Sequence, residues 1–333
     1  MEFKLNKNRT CAVIGYGSWA TAIVKILSDN GNRVSWHITN ADVVEGVEME
    51  SRNPKYLRDA ELQVENITIY SDINDTVSSS DIVILATPSA FLVGVLSSLE
   101  LSLSTKLVIT AIKGIIPENN LTVVDYLNTF HSVPMEQICA VTGPCHAEEV
   151  SLKRLSYLTA VSPDIEVAHL VGEMFDCSYI NISYSTDLNG IEYATILKNI
   201  YAISVGIAVG MGYGDNFVAV LIANCAREMN NFVHARYPDS RDTRESAYLG
   251  DLLVTCYSQY SRNRRFGTLL GRGFSVKSAL NEMTMVAEGY YASRCVEHIK
   301  GELETPIADM VYSVLYKGVS ARKAMKKLTK EFI

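Results

Sequence analysis

The sequence lacks an excess of positive charge. Its 333 residues contain 30 Lys and Arg against 37 Asp and Glu, a formal net charge of −7 at pH 7. A protein that binds nucleic acid or a membrane surface over a broad area needs a basic face. The composition therefore argues against both kinds of partner and favours a small-molecule ligand.

The sequence also lacks a cysteine framework and a long apolar leader. Seven cysteines are scattered without a CxxC pair, as is typical of reduced thiols in a cytosol, so we expect neither disulfides nor a metal site. The opening MEFKLNKNRT has no apolar run that could act as a signal peptide, and polar residues interrupt the later apolar runs. We expect a soluble cytoplasmic protein with no stable membrane insertion.

Short apolar, β-rich runs alternate with helical segments in the first half of the chain, as is typical of a parallel-rich sheet covered on both faces. The runs are CAVIG, RVSWHI, DIVILATP, KLVITAIKG, QICAVTGP, SYLTAV and SYINISY. After about Asn189 the segments are long, Ala-rich and helical in period. The sequence therefore predicts an α/β Rossmann-like domain over residues 1–188 and an all-α domain over residues 189–333.

Two glycines separate the first strand from the first helix. Gly15 and Gly17 permit a tight turn and let backbone N–H groups approach a pyrophosphate at the helix N-terminus, and Ala20 takes the third position of the usual fingerprint. The alternative is a plain strand-to-helix turn. Their place directly after a strand near the N-terminus favours a dinucleotide-binding loop.

The residues after the second strand bear on the choice of cofactor. An acid there would accept from a ribose 2′-hydroxyl, and an Arg would hold a 2′-phosphate. The chain has Thr39 and Asn40, with Asp42 slightly further on. The choice between NAD and NADP stays open, and the absence of a positive residue favours NAD.

Three charged residues stand beside or inside apolar runs. Lys113 follows a strand and could hold a phosphate or a carbonyl oxygen, although a lysine there is usually solvated. Lys198, with Asn199, lies in an apolar helix, where it either snorkels or is desolvated with a lowered pKa; the spacing alone favours snorkelling. Asp251 is either a helix cap or a carboxylate that orients a nearby lysine.

The stretch SRNRRFG concentrates donors in a short span. Ser261, Arg262 and Asn263 offer a hydroxyl, a guanidinium and an amide, a set suited to a phosphate monoester. A solvated basic face would not require Ser and Asn in so compact a form. We therefore expect a phosphate-binding segment here.

The stretch TGPCHAEE follows another strand. Gly143 leaves the backbone free to contact a ligand, and the adjacent Cys145 and His146 invite interpretation as a catalytic pair. Cys-His catalysis depends on placement in space, and adjacency in sequence does not establish it. We therefore do not expect a cysteine nucleophile.

Together these motifs resemble the bacterial-type NAD(P)-dependent sn-glycerol-3-phosphate dehydrogenases over nearly the whole chain. In chain order they are GYGSWATA, NPKYL, ATPS, AIKG, TGPCHAEE, LKN, GDLLVTC, SRNRRFG and VAEGY. The resemblance implies a Rossmann-like dinucleotide-binding domain and a helical substrate and catalytic domain that share the active site. It implies reversible reduction of dihydroxyacetone phosphate to sn-glycerol 3-phosphate, which feeds glycerophospholipid synthesis.

The resemblance also implies roles for individual residues. Lys198 would be the acid/base on the C2 oxygen, Lys113 would contact substrate and nicotinamide, and Asp251 would lie against the catalytic lysine and the substrate. The other implied cofactor contacts are Gly15, Gly17, Ser18, Trp19, Ala147, Arg262, Val286 and Glu288. The other implied substrate contacts are Gly143, Cys145, Ser261, Arg262 and Asn263.

The chain departs from the family pattern at several positions. Cys145 and His146 replace the usual Ser or Thr and Phe, Thr39 replaces an Arg common after the second strand, and Tyr248 replaces a glycine. Two alternatives remain, namely another two-domain hydroxyacid dehydrogenase and a catalytically silent nucleotide-sensing regulator. The helical domain could also pair in a homodimer.

Overall fold

The computed structural model describes residues 10–283 and 285–332. The chain forms two compact units. The first unit comprises the chain up to Ile112 and the segment Val123–Leu188. The second unit comprises Lys113–Thr122 and the chain from Asn189 onward. The short segment that begins with Lys113 thus belongs to the same unit as the C-terminal helices.

The described residues contain ten β-strands. They are β1 (Thr10–Ile14), β2 (Arg33–His37), β3 (Ile67–Tyr70), β4 (Ile82–Leu85), β5 (Leu107–Thr110), β6 (Ile115–Ile116), β7 (Leu121–Thr122), β8 (Ile138–Thr142), β9 (Ser156–Val161) and β10 (Ile180–Ser185). The antiparallel hairpin of β6 and β7 lies in the second unit, and the other eight strands form the sheet of the first unit.

The strand order of this sheet is β10-β9-β8-β5-β4-β1-β2-β3. All neighbours pair in parallel except β8 and β9, which are antiparallel. From β3 to β8 the order is that of the dinucleotide-binding fold, which reverses between β1 and β4 and opens a crevice at their carboxyl ends. The predicted Rossmann-like, parallel-rich fold is confirmed.

Seven α-helices accompany this sheet in the described part of the first unit. They are α1 (Ser18–Asp29), α2 (Ala41–Glu50), α3 (Ile73–Ser78), α4 (Ser89–Leu96), α5 (Val123–His131), α6 (Ala147–Ser151) and α7 (Ile165–Phe175). The strands β1, β4 and β5 are almost entirely buried. Their continuous apolar runs made them recognisable in the sequence, whereas the half-buried β3 was not predicted.

The second unit is helical, as predicted. Its helices are α8 (Leu188–Gly210), α9 (Asp215–Arg236), α10 (Asp251–Tyr257), α11 (Arg262–Gly271), α12 (Val276–Asn281), α13 (Glu288–Ile299), α14 (Pro306–Tyr316) and α15 (Ala321–Leu328). Within the described residues, α8 alone is long and apolar enough to span a membrane, so the expectation that polar residues interrupt every such run is wrong here. Because 89% of an 18-residue apolar stretch of α8 is buried in the structure, α8 is a core helix.

Candidate active site

One carboxylate joins two lysines in the second unit. Lys198 lies on α8 and is 3% exposed, and Asp251 begins α10 and is 1% exposed. Oδ2 of Asp251 contacts Nζ of Lys198 and lies 3.3 Å from Nζ of Lys113. Lys198 is therefore buried rather than snorkelling, and Asp251 orients two lysines instead of only beginning a helix.

Burial and neighbouring charge set the protonation of this cluster. Burial lowers the pKa of Lys198 to about 7, with the Asp251 carboxylate opposing this shift and Lys113 adding to it. Burial works against ionisation of Asp251, but Lys113 and Lys198 outweigh it and hold the pKa of this carboxyl below its usual range. The cluster thus combines an ionised carboxylate with an amine that can exchange a proton near neutral pH.

A chain of side-chain amides connects the cluster to two further segments of the same unit. Nδ2 of Asn199 donates to the carbonyl of Lys113 over 2.7 Å, and its Oδ1 accepts from Nδ2 of Asn263 over 2.8 Å. Oδ1 of Asn263 in turn accepts from the N–H of Gly289 over 2.9 Å. The amides of Asn199 and Asn263 therefore fix the main chain of Lys113 relative to α8, α11 and the start of α13.

Four glycines bring α8 and α11 into backbone contact. A Cβ built on Gly206 would lie 2.1 Å from the carbonyl oxygen of Arg264, and one on Gly267 would lie 2.1 Å from that of Ile203. One turn further along, a Cβ on Gly210 would lie 2.3 Å from the carbonyl oxygen of Thr268, and one on Gly271 would lie 2.3 Å from that of Ile207. Only glycine permits this crossing, which sets the distance between the helices that carry Lys198 and Asn263.

The predicted phosphate-binding segment forms the N-terminus of α11. Ser261 is the N-cap, and its Oγ accepts from the N–H of Arg264 over 3.2 Å. Arg262 is partly exposed, whereas Ser261 and Asn263 are buried. Positive side chains thus accompany the positive end of a helix dipole, an arrangement suited to a phosphate.

The predicted cofactor contacts of the second unit lie at the start of α13. Glu288 is its first residue, Ala287 is its N-cap, and Val286 precedes them; both Val286 and Glu288 are partly exposed. A Cβ on Gly289 would lie 2.5 Å from the carbonyl of Asn199. The helix start is therefore packed directly against α8.

In the first unit, the predicted fingerprint residues form the turn between β1 and α1. Gly15 has φ +117°, and a Cβ there would lie 2.7 Å from the carbonyl of Ala86 at the end of β4. Gly17 is the N-cap of α1, and Ser18 and Trp19 begin the helix. The turn lies at the carboxyl ends of β1 and β4, where the strand order reverses.

Gly17 tests whether this loop suits a dinucleotide. Its φ is −71°, which any residue can adopt, and a Cβ there would meet no atom of the chain within 4 Å. The fold itself therefore gives no steric reason for glycine at this position. A pyrophosphate that approaches the backbone N–H groups supplies one, so the loop fits the cofactor.

The ribose-proximal positions follow β2. Thr39 is exposed, with Oγ1 3.4 Å from the hydroxyl of Tyr16. Asn40 caps α2 by accepting from the N–H of Val43. Neither side chain carries a charge that would select a 2′-phosphate.

The remaining predicted contacts of the first unit follow β8. Gly143 has φ +121°, and a Cβ there would lie 2.9 Å from the carbonyl of Tyr157. Cys145 is partly buried against the core of the sheet, and Ala147 begins α6, which packs beside α1. Gly143 therefore has a structural requirement of its own.

Asn199 and Asn53 are the polar residues that the sequence analysis did not assign to the site. Asn199 is buried and holds the main chain of Lys113, as described above. Asn53 is 0% exposed and donates to the carbonyl of Tyr16 in the fingerprint loop. An amide inside an apolar helix was the available signal for Asn199, and the NPKYL motif was the signal for Asn53.

Residues 10–283 and 285–332 contain no group of three or more His, Cys, Asp and Glu side chains arranged to hold a metal ion. Cys256 lies on α10, the helix that begins with Asp251. It is fully buried, and burial raises the pKa of its thiol to about 12. The thiolate, which is the nucleophilic form, is therefore disfavoured at this position. The titratable groups that remain available for chemistry in this cluster are the two lysines and the carboxylate.

Comparison with known proteins identifies the family. The models for the N- and C-terminal regions of NAD-dependent glycerol-3-phosphate dehydrogenase match residues 10–168 and 187–326. Glycerol-3-phosphate dehydrogenase (NAD(P)+) of Staphylococcus carnosus is 34% identical over 327 residues, which cover 95% of this chain and 96% of that protein. The corresponding protein of Chlorobium limicola is 33% identical over 322 residues, with 95% and 96% covered.

A solved structure agrees with these sequence matches. The crystal structure of glycerol-3-phosphate dehydrogenase from Coxiella burnetii has a TM-score of 0.89 and 25% sequence identity, and the match covers 97% of this chain and 99% of that one. The chain therefore belongs to the NAD-dependent glycerol-3-phosphate dehydrogenase family.

Proposed function

We propose that this protein reduces dihydroxyacetone phosphate to sn-glycerol 3-phosphate with a reduced nicotinamide cofactor, and that the reaction is reversible. The observation that carries the proposal is the buried Asp251 carboxylate between Lys198 and Lys113. Two lysines and one carboxylate leave a net positive charge when both amines are protonated. Such a cluster stabilises negative charge that develops on a carbonyl oxygen during reduction.

The division of labour follows the two units. The first unit would bind the dinucleotide, with contacts from Gly15, Gly17, Ser18, Trp19 and Ala147. The second would contribute Lys113, Arg262, Val286 and Glu288 to the cofactor. When bound, NADH or NADPH supplies the hydride for C2.

Lys198 is the proposed acid. Its pKa of about 7 lets the ammonium give a proton to the C2 oxygen at neutral pH and regain it from solvent. Lys113 polarises the same carbonyl, and Asp251 holds both amines in place. Substrate contacts from Gly143, Cys145, Ser261, Arg262 and Asn263 complete the proposal, with the phosphate held by the start of α11.

The proposed cofactor is NAD rather than NADP. This preference rests on the exposed Thr39, which offers no positive charge to a 2′-phosphate. We also propose a cytoplasmic location, consistent with the burial of α8. A homodimer is the proposed assembly, because α9 and α10 leave Val220, Leu253 and Tyr257 exposed; light scattering coupled to size exclusion tests it.

The decisive experiment follows the loss of reduced-nicotinamide absorbance with dihydroxyacetone phosphate, in parallel with NADH and NADPH. The protein should oxidise at least one cofactor only when substrate is present, and Lys198→Met should lower kcat by a factor of roughly 10² to 10⁴. Lys277→Met, on the exposed face of α12, is the matched control and should retain full activity.

Two results would contradict the proposal. If both cofactors bind and neither is oxidised, the protein is a nucleotide-sensing regulator. If Lys198→Met retains full turnover, the protein is a reductase but Lys198 is not its acid.

A further inference from the structure

The fingerprint loop is the turn of residues 15–17 between β1 and α1. Three side chains from outside this loop donate hydrogen bonds to its three successive carbonyl groups. Nε1 of Trp36 donates to the carbonyl of Gly15 over 2.7 Å. Nδ2 of Asn53 donates to the carbonyl of Tyr16 over 2.9 Å. The carbonyl of Gly17 accepts from Oγ1 of Thr21 over 2.9 Å and from the N–H of Thr21 over 2.9 Å.

These bonds determine where the N–H groups of the loop point. In a trans peptide the C=O of one residue and the N–H of the next point in opposite directions within one plane. With the carbonyls of Gly15, Tyr16 and Gly17 turned toward Trp36, Asn53 and Thr21, the N–H groups of residues 16–18 are turned away from these side chains. N–H groups in this position, at the start of a helix, are donors for a phosphate.

Asn53 is the centre of this arrangement. Its second N–H donates to Oγ1 of Thr21 over 2.8 Å, so it supports two of the three carbonyl contacts. Its Oδ1 accepts from the N–H groups of Lys55 and Tyr56 over 3.2 and 3.1 Å. Both donors and both acceptor positions of the amide are used, which fixes the side chain in one orientation.

The segment that carries Asn53 is itself held in place. A Cβ on Gly46 of α2 would lie 2.5 Å from Cδ of Pro54, so the turn after Asn53 packs directly on that helix. Leu57 completes the turn with φ +56°. The NPKYL motif thus forms a rigid support whose only buried side-chain amide is directed at the loop.

We propose that Asn53 is a positioning residue for the dinucleotide: it holds the peptide planes of the loop so that their N–H groups face the pyrophosphate. The inference rests on the proposed binding of NAD by this loop. Asn53 does not itself touch the cofactor in this proposal. Its replacement should weaken cofactor binding and leave the chemistry in the second unit intact.

The test is direct binding of NADH, without substrate, to the full chain. The protein has two tryptophans, and both, Trp19 and Trp36, lie at this loop. Their emission therefore reports on the loop, and energy transfer to bound NADH gives the Kd. For Asn53→Ala we expect the Kd to rise ~10-fold or more, because N–H groups that are no longer held toward the pyrophosphate lose the equivalent of one hydrogen bond of ordinary strength to it. The KM for NADH should rise equally, with the KM for dihydroxyacetone phosphate unchanged.

Asn30→Ala is the matched control. Asn30 is the C-cap of α1, the helix that follows the fingerprint loop. Its Nδ2 donates to the carbonyls of Met174 and Asp176 over 3.1 and 2.7 Å. Its loss should lower the Tm without changing the Kd for NADH. Because Asn53→Ala could unfold the protein, Thr21→Val and Thr21→Ser form a second pair, in which only the valine variant loses the hydroxyl.

The outcomes separate the inference from the proposed function. If the unaltered protein does not bind NADH, dinucleotide binding itself is wrong, and the role of Asn53 falls with it. If the unaltered protein binds NADH and folded Asn53→Ala binds within twofold of it, the positioning role is wrong. If Asn53→Ala does not fold, a Thr21→Val protein that binds like Thr21→Ser overturns the inference, and a weakened Kd restored by serine supports it.

Discussion

The side-chain amide of Asn199 donates to the main-chain carbonyl of Lys113 over 2.7 Å. The helix that presents Lys198 therefore also holds the backbone of the second lysine. Asn199→Ala removes this bond and the acceptor of Asn263, and leaves buried polar groups unsatisfied at a cost of roughly 1–3 kcal/mol each.

We expect Asn199→Ala to lower both the free energy of unfolding and kcat, with kcat reduced at least tenfold because Lys113 is displaced. Urea unfolding and steady-state kinetics measure the two effects. The control is Asn224→Ala, an exposed amide that donates to the carbonyl of Val220 on α9. Equal kcat values for the two variants would show that the bond does not position Lys113.

The reduction rate should depend on pH through Lys198. Burial lowers the pKa of its ammonium to about 7, so the proton donor disappears as the pH rises through this value. Reduction should therefore slow above about pH 7, and oxidation of glycerol 3-phosphate, which requires the neutral amine, should accelerate over the same range. Initial rates in both directions from pH 5.5 to 9 give the profile.

Asp251→Asn should move this profile. The carboxylate raises the pKa of Lys198, so its removal lowers that pKa and shifts the falling limb of reduction to lower pH. We also expect a lower kcat, because the amide cannot hold both lysines as a carboxylate does. Asp239→Asn, a highly exposed position, is the control; an unshifted limb in Asp251→Asn would mean that Lys198 is not the titrating group.

The crossing of α8 and α11 should tolerate no side chain at Gly267. The added Cβ would lie 2.1 Å from the carbonyl of Ile203, so Gly267→Ala must force the helices apart. We expect a loss of about 2 kcal/mol or more in the free energy of unfolding, with a lower kcat because Lys198 and Asn263 separate. Gly94→Ala, inside α4 with no atom within 4 Å of its Cβ, should instead be neutral or stabilising.

The stability of the second unit should depend on Glu228. Its two carboxylate oxygens accept from the N–H groups of Ile307 and Ala308 over 2.8 and 3.0 Å. Burial nevertheless raises its pKa from 4.5 to about 7. Between these values the folded protein binds more protons than the unfolded chain, so its stability falls as the pH rises.

This linkage amounts to about 3 kcal/mol between pH 4.5 and 7. Glu228→Gln should flatten the pH dependence of the free energy of unfolding over this range, as measured by urea unfolding at several pH values. The control is Glu331→Gln, a carboxylate near the C-terminus whose side chain is 40% exposed. Identical slopes for Glu228→Gln and the unaltered protein would contradict the raised pKa.

A positive charge at position 39 should change the cofactor preference. Thr39 is exposed directly after β2, so an arginine there can reach a 2′-phosphate with a charge-assisted hydrogen bond. We expect Thr39→Arg to raise the ratio of kcat/KM for NADPH over NADH by ~10-fold. Thr39→Gln, similar in length and neutral, is the control, and an equal ratio in both variants would place the 2′-phosphate elsewhere.

The sequence by itself determined the strands that lie in the centre of the sheet and the loop between β1 and α1. Continuous apolar runs such as CAVIG and DIVILATP can be recognised locally because a strand buried on both faces needs apolar residues at every position. The half-buried β3 lacks that signal. The ordered series of motifs was enough to indicate the family, because each motif is a local stretch of residues.

The tertiary structure alone decided what the polar residues inside these segments do. For Lys198 in an apolar helix the spacing favoured snorkelling, but the folded chain buries it. Burial and the charge of Lys113 lower its pKa and the Asp251 carboxylate opposes this shift, and both residues are distant from Lys198 in sequence. Asn53 and Asn199 likewise gain their roles from carbonyl groups in other segments. Periodicity records which side of an element is apolar, whereas electrostatics and hydrogen bonding depend on distances that only the folded chain establishes.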